Sequence, residues 1–237
     1  MPSLIFDIET VGENFDELDK TTQEALTRWI KNEAEDEAEY ERLLATIKSG
    51  MGFSPLTGQV VVIGVLDAAK NQGVVYFQAP GQEIKEFQEG DFIFKPRTEK
   101  EMLEQFWQGA LKYDEFISFN GRSFDAPFLA IRSAVNQVKV TKDLMSNRYT
   151  GSQKFNAKHI DLLDQLTFYG ALRRKGSLHL WCRAFNIPSP KAQGVSGDDV
   201  APLFRAGKFT DIARYNVGDL IATKKLYEYW RDYLQAR

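Results

Sequence analysis

Asp7 and Glu9 stand two residues apart, directly after the apolar run Leu4-Ile5-Phe6. On a strand that spacing puts both carboxylates on one face, about 6–7 Å apart along the backbone. Acids held that close repel unless a cation or a shared proton joins them. Emerging from a buried strand, they are costly unless paired or metal-bound. Taken alone, a D-x-E triplet also describes an ordinary strand end with solvated acids. A second run, Asn120-Gly121-Arg122-Ser123-Phe124-Asp125-Ala126-Pro127, carries one acid at the start of a helical pattern. Pro127 is tolerated in a first helical turn. By itself Asp125 reads as favourable charge at a helix N-terminus, with Ser123 as the cap. A third run, Tyr215-Asn216-Val217-Gly218-Asp219, places a phenol and an acid one helical turn apart on one face. Alone, that pair would be unremarkable on an amphipathic helix.

In order, the runs are D-x-E on a first strand, N-x3-F-D-x-P at a strand-to-helix turn, and Y-x3-D on a late helix. This order resembles the three motifs of the DEDD exonuclease superfamily, in its tyrosine-bearing branch (DEDDy), on the ribonuclease H-like fold. More narrowly, it is similar to the predicted prokaryotic 3′→5′ exonucleases related to the proofreading domain of family B DNA polymerases. The resemblance spans Asp7 to Asp219. It implies two divalent ions, Mg²⁺ or Mn²⁺, held by Asp7, Glu9, Asp125 and Asp219, an oxygen set that hard cations prefer. Asp7 would bridge both ions, and Tyr215 would orient the attacking water. Asn120 and Phe124 fall where the family contacts the terminal nucleotide; Phe124 reads equally as core packing. His159 and Asp164 satisfy H-x4-D, the third motif of the sister branch. That pair follows the second motif closely, its Ile160–Leu163 segment reads as a short strand, and position 214 is Arg.

Strands are expected at Leu4–Phe6, Val60–Leu66, Val74–Gln78 and Phe116–Phe119, the second and third joined as a hairpin through Asn71-Gln72-Gly73. Helices are expected over Glu99–Leu111, Phe124–Val135, Ser177–Phe185, Asp198–Arg205 and Phe209 to about Leu234. This gives an α/β class, a mixed sheet flanked by helices. Residues 1–237 are read as one domain, with a helical acidic insertion over about 13–55 between the first two strands.

The whole chain has net charge −3, so no global basic field announces nucleic acid. The charge is uneven, however. Residues 13–41 carry eleven acids and three bases, while residues 132–191 carry eleven bases and three acids. The acidic stretch reads as a solvated helical face or as a surface for a protein partner. In the basic stretch Arg173, Arg174 and Lys175 follow Phe168 and Tyr169, a mixture of cations and stacking faces suited to single strands. The expected partner is a single-stranded nucleic-acid 3′ end, DNA ahead of RNA; the alternatives are an exoribonuclease or a catalytically silent module. Cys182 is the one cysteine, which excludes an internal disulfide and points to a buried thiol. The N-terminus has neither signal-peptide nor membrane-span character, so the cytoplasm is expected.

Overall fold

The computed structural model describes residues 1–189 and 197–235. Seven strands form a single mixed sheet: β1 (Ser3–Gly12), β2 (Gly58–Asp67), β3 (Gln72–Phe77), β4 (Phe87–Glu89), β5 (Phe92–Pro96), β6 (Glu115–Ser118) and β7 (Lys158–Asp161). Their order across the sheet is β4-β5-β3-β2-β1-β6-β7. β1 runs antiparallel to β2 and parallel to β6, which is parallel to β7. The hairpin between β2 and β3 turns over residues 67–71. There the Asp67 carboxylate accepts the Ala69 and Lys70 amides, and Asn71 takes the left-handed conformation at φ 57°.

The alternation of β1 explains how the molecule is layered. Leu4, Phe6 and Ile8 face a core shared with α4 (Glu99–Ala110) and α5 (Asp125–Val135). Ile5 and Val11 face a second core shared with α9 (Phe209–Tyr229). Asp7 and Glu9 fall in that second row, where continued alternation would call for apolar side chains. β1 is longer than the expected Leu4–Phe6 strand, and the acids stand in its middle rather than at its end. Antiparallel pairing with β2 carries the strand on to Gly12, with the register shifting between Glu9 and Thr10.

The remaining helices are α1 (Lys20–Thr27), α2 (Ile30–Glu33), α3 (Glu37–Gly50), α6 (Leu162–Leu166), α7 (Leu178–Ala184) and α8 (Val200–Arg205). The segment between β1 and β2 is helical, as its composition suggested, but broken into three. Asp19 and Asp36 cap α1 and α3 by accepting Thr22 and Glu39 amides. Ile30 and Thr27 are buried there, while Trp29 is largely exposed. β4 and β5 had no counterpart in the sequence reading, because strands of three and five residues on a sheet edge show too little periodicity. The expected Ile160–Leu163 strand is displaced. β7 ends at Asp161, whose carboxylate accepts the Leu163 amide and starts α6. The last helix runs as expected and finishes in a π-helical turn, Trp230–Leu234. Among the described residues no helix is long and apolar enough to cross a membrane.

Candidate active site

α9 crosses β1 so that Asp219 meets the two strand acids. Carboxylate oxygens of Asp7, Glu9 and Asp219 all lie within 4.8 Å of one another. Asp125 joins them from the start of α5, and its Oδ1 accepts the Ile8 amide at 3.0 Å. Asp125 also keeps the expected place in the first turn of α5. The residue capping α5 is Phe124, not Ser123, and no side chain caps this helix. Asp125 is thereby bolted to the backbone between Asp7 and Glu9.

Burial raises the Asp7 carboxyl well above its usual range, and the charges of Asp125, Glu9 and Asp219 add to it. Glu9 is raised in the same way, by burial and then Asp219. Burial pushes Asp125 up to about 7 despite its hydrogen bond from Ile8. Asp7, Glu9 and Asp125 form no ion pair with any described Lys or Arg. Crowded, buried, cation-free carboxylates are unfavourable as anions unless a cation joins them. An all-oxygen donor set of this charge fits a hard divalent ion and would not suit a thiolate- or imidazole-preferring one.

The turn that delivers Asp125 is held by a residue outside the three motifs. Asp161, at the end of β7, accepts the Asn120, Arg122 and Leu163 amides, each at 2.9 Å. Asn120 sits in the left-handed region at φ 62°. The turn is completed by the Ala126 amide donating to the Gly121 carbonyl. Gly121 is required here, since a Cβ would overlap the Ser118 hydroxyl. His159, two residues before Asp161, is fully buried against Phe6 and between Ser118 Oγ and the Leu144 carbonyl. Asp164 is occupied by a two-pronged contact with Arg148. The H-x4-D pair is therefore structural.

Tyr215 stands beside the acids and hydrogen-bonds Asp219; burial, then the Asp219 and Glu9 charges, push its hydroxyl far above the ordinary phenol range. Phe124 is half-buried. One edge of its surroundings is Phe128, at 5.5 Å between ring centroids, and another is Phe53, at 6.4 Å. Phe53 is 67% exposed. Its 3₁₀ turn is tied to β1 beside Glu9, because Thr10 Oγ1 donates to the Gly52 carbonyl at 2.7 Å. Sequence reasoning missed Phe53, Asn216 and Asp161. Asn216 could have been found, lying three residues before Asp219 on the same helical face. Asp161, a buried acid at the end of a four-residue strand, gave only a weak local signal. Nothing local marks Phe53.

The basic segment is less free than its charge implies. Arg132 is paired with Glu99, Arg148 with Asp164 and Lys158 with Glu115. Lys142 donates to two backbone carbonyls. Lys191 lies outside the described residues. Arg173, Arg174 and Lys175 are exposed, with no ion pair among the described residues.

A family model described as "Predicted 3'-5' exonuclease related to the exonuclease domain of PolB" matches residues 58–234. That span contains Asp125, Tyr215 and Asp219 but not β1. A search of curated proteins returned no match. Among solved structures, the family B DNA polymerase from the hyperthermophilic archaeon Pyrobaculum calidifontis superposes with a TM-score of 0.58 at 16% identity, over 97% of this chain and 24% of the polymerase. The mixed sheet with flanking helices is ribonuclease H-like. The chain belongs to the family of predicted 3′→5′ exonucleases related to the PolB exonuclease domain.

Proposed function

We propose that the protein is a two-metal-ion 3′→5′ exonuclease of the DEDDy type, removing nucleotides from the 3′ ends of single-stranded nucleic acid, DNA ahead of RNA. The observation that carries this is the largely buried cluster of Asp7, Glu9 and Asp219 with Asp125 bolted beside it. The family's relation to a DNA polymerase domain supports DNA. Asp7, Glu9, Asp125 and Asp219 would hold two Mg²⁺ or Mn²⁺ ions. When bound, such ions lower the pKa of a nucleophilic water and stabilise the departing 3′ oxygen. Tyr215 keeps its proton at neutral pH, so its role is to orient the water by hydrogen bonding rather than to act as a base. Phe53 and Phe124, in edge contact with each other, would offer faces to the terminal base. Asn120 would contact the terminal nucleotide, and Arg173, Arg174 and Lys175 would meet phosphates further along the strand.

The test is a 5′-labelled oligonucleotide with a single-stranded 3′ end, in DNA and RNA versions, incubated with protein and Mg²⁺ or Mn²⁺. Stepwise shortening from the 3′ end is expected, faster on DNA. Asp7→Asn should lower the rate more than ~100-fold with the fold retained, since loss of a ligand exceeds the effect of outer-shell changes. No shortening of either polymer with either ion would overturn the reading; shortening of RNA alone would correct the substrate.

A further inference from the structure

Asn216 occupies a place where packing alone would put leucine. It lies in the buried stripe of α9 with Ile212, Ala213, Leu220 and Thr223, and it is fully buried. Its Nδ2 donates to Asp7 Oδ2 at 2.7 Å and reaches Glu9 Oε1 at 3.5 Å. Its Oδ1 is buried with no hydrogen-bond partner. Turning the amide over would set that oxygen against Asp7 Oδ2, acceptor against acceptor, so the acids dictate the orientation. A buried amide left half unsatisfied is unfavourable as a packing element.

The space for it is made by the neighbouring strand. Gly64 is the β2 partner of Asp7 in the sheet register. A Cβ at this position would overlap Asn216 Oδ1 and come within 2.8 Å of Leu220 Cδ1. One oxygen of each strand acid thus points to the amide, leaving Asp7 Oδ1 and Glu9 Oε2 for other partners. An amide does this without adding charge, whereas a lysine there would compete with a cation.

We propose that Asn216 is a positioning residue that orients the Asp7 and Glu9 carboxylates for a divalent cation, and that residue 64 is glycine to admit it. This rests on the metal-binding reading above. The experiment is calorimetric titration of Mn²⁺ into the full chain and into Asn216→Leu and Gly64→Ala, with melting of the metal-free proteins measured alongside. Outer-shell partners of metal ligands typically contribute 10–100-fold in affinity, so each variant should bind Mn²⁺ at least ~10-fold more weakly. Metal-free Asn216→Leu should melt no lower than wild type. At saturating Mn²⁺ the oligonucleotide KM should be unchanged and much of kcat recovered, a rescue that a general packing defect would not show. Gly64→Ala carries the test if Asn216→Leu does not fold. Wild-type Mn²⁺ affinity in the folded variants overturns the role of Asn216 alone. A wild-type protein that takes up no divalent ion overturns the metal reading and this inference with it.

Discussion

Tyr215 illustrates how one side chain is tuned by its neighbours. Its hydroxyl faces Asp219 and Glu9 in a partly dry setting, which disfavours the phenolate. A water-orienting hydroxyl should matter to the chemical step and not to ion binding. Tyr215→Phe is expected to lower single-turnover rate by about 10²-fold or more while leaving Mn²⁺ affinity near wild type, checked by quench-flow and calorimetry. His159 makes a different statement. Burial lowers its pKa from 6.5 to about 4. The unfolded chain therefore binds a proton that the folded chain refuses, and stability present above pH 6.5 is lost as the pH falls toward 4. Against His159→Gln, the wild type should lose about 2–3 kcal/mol more between pH 7 and 4.5. Paired urea denaturation reads this difference, and pH effects from the acid cluster, present in both proteins, cancel.

At the scale of elements, the site joins the middle of one strand to the ends of two others. β1 supplies Asp7 and Glu9, the turn after β6 supplies Asp125, and β7 supplies the Asp161 carboxylate that holds that turn. Asp161→Ala would leave three backbone N–H groups unpaired. A cost of roughly 3–5 kcal/mol is expected, measured by urea denaturation in metal-free buffer, together with weakened Mn²⁺ uptake as Asp125 loses its support. A stability change under ~1 kcal/mol would mean that water replaces the carboxylate and that the turn holds itself. β7 is a sheet edge, and its exposed backbone is blunted locally. The Gln153 side chain pairs with both the His159 amide and carbonyl, which leaves less edge for another strand to join.

Across the whole molecule, charge separates into an acidic segment between β1 and β2 and a basic segment much of which is spent on internal pairs. On the proposed reading, the field met by a nucleic-acid strand would be set by a few exposed cations against the acids of α3 and its approach. Glu35, Glu37, Glu39 and Glu41, replaced together by Gln, should lower the KM for a single-stranded oligonucleotide severalfold at ~10 mM salt, with the gain gone by ~0.5 M. A salt-independent change would point instead to direct contact. Cys182 takes no part in this surface: it is buried, and burial pushes its thiol up to about 11.

The parts of the site legible in the sequence were those that depend on local geometry. Alternation on a strand puts Asp7 and Glu9 on one face, and helical spacing does the same for Tyr215 and Asp219. Their order along the chain was enough to indicate the fold class and the family. Long-range contacts decided the rest. Asp125 became a neighbour of Asp7 by accepting an amide 117 residues away, a contact with no local signature. Phe53 reached Phe124 only because its turn is fastened to β1. Asn216 and Gly64 acquire meaning only together, one filling the volume that the other leaves empty. Spacing along a chain fixes which side chains share an element; packing between elements decides which of them meet.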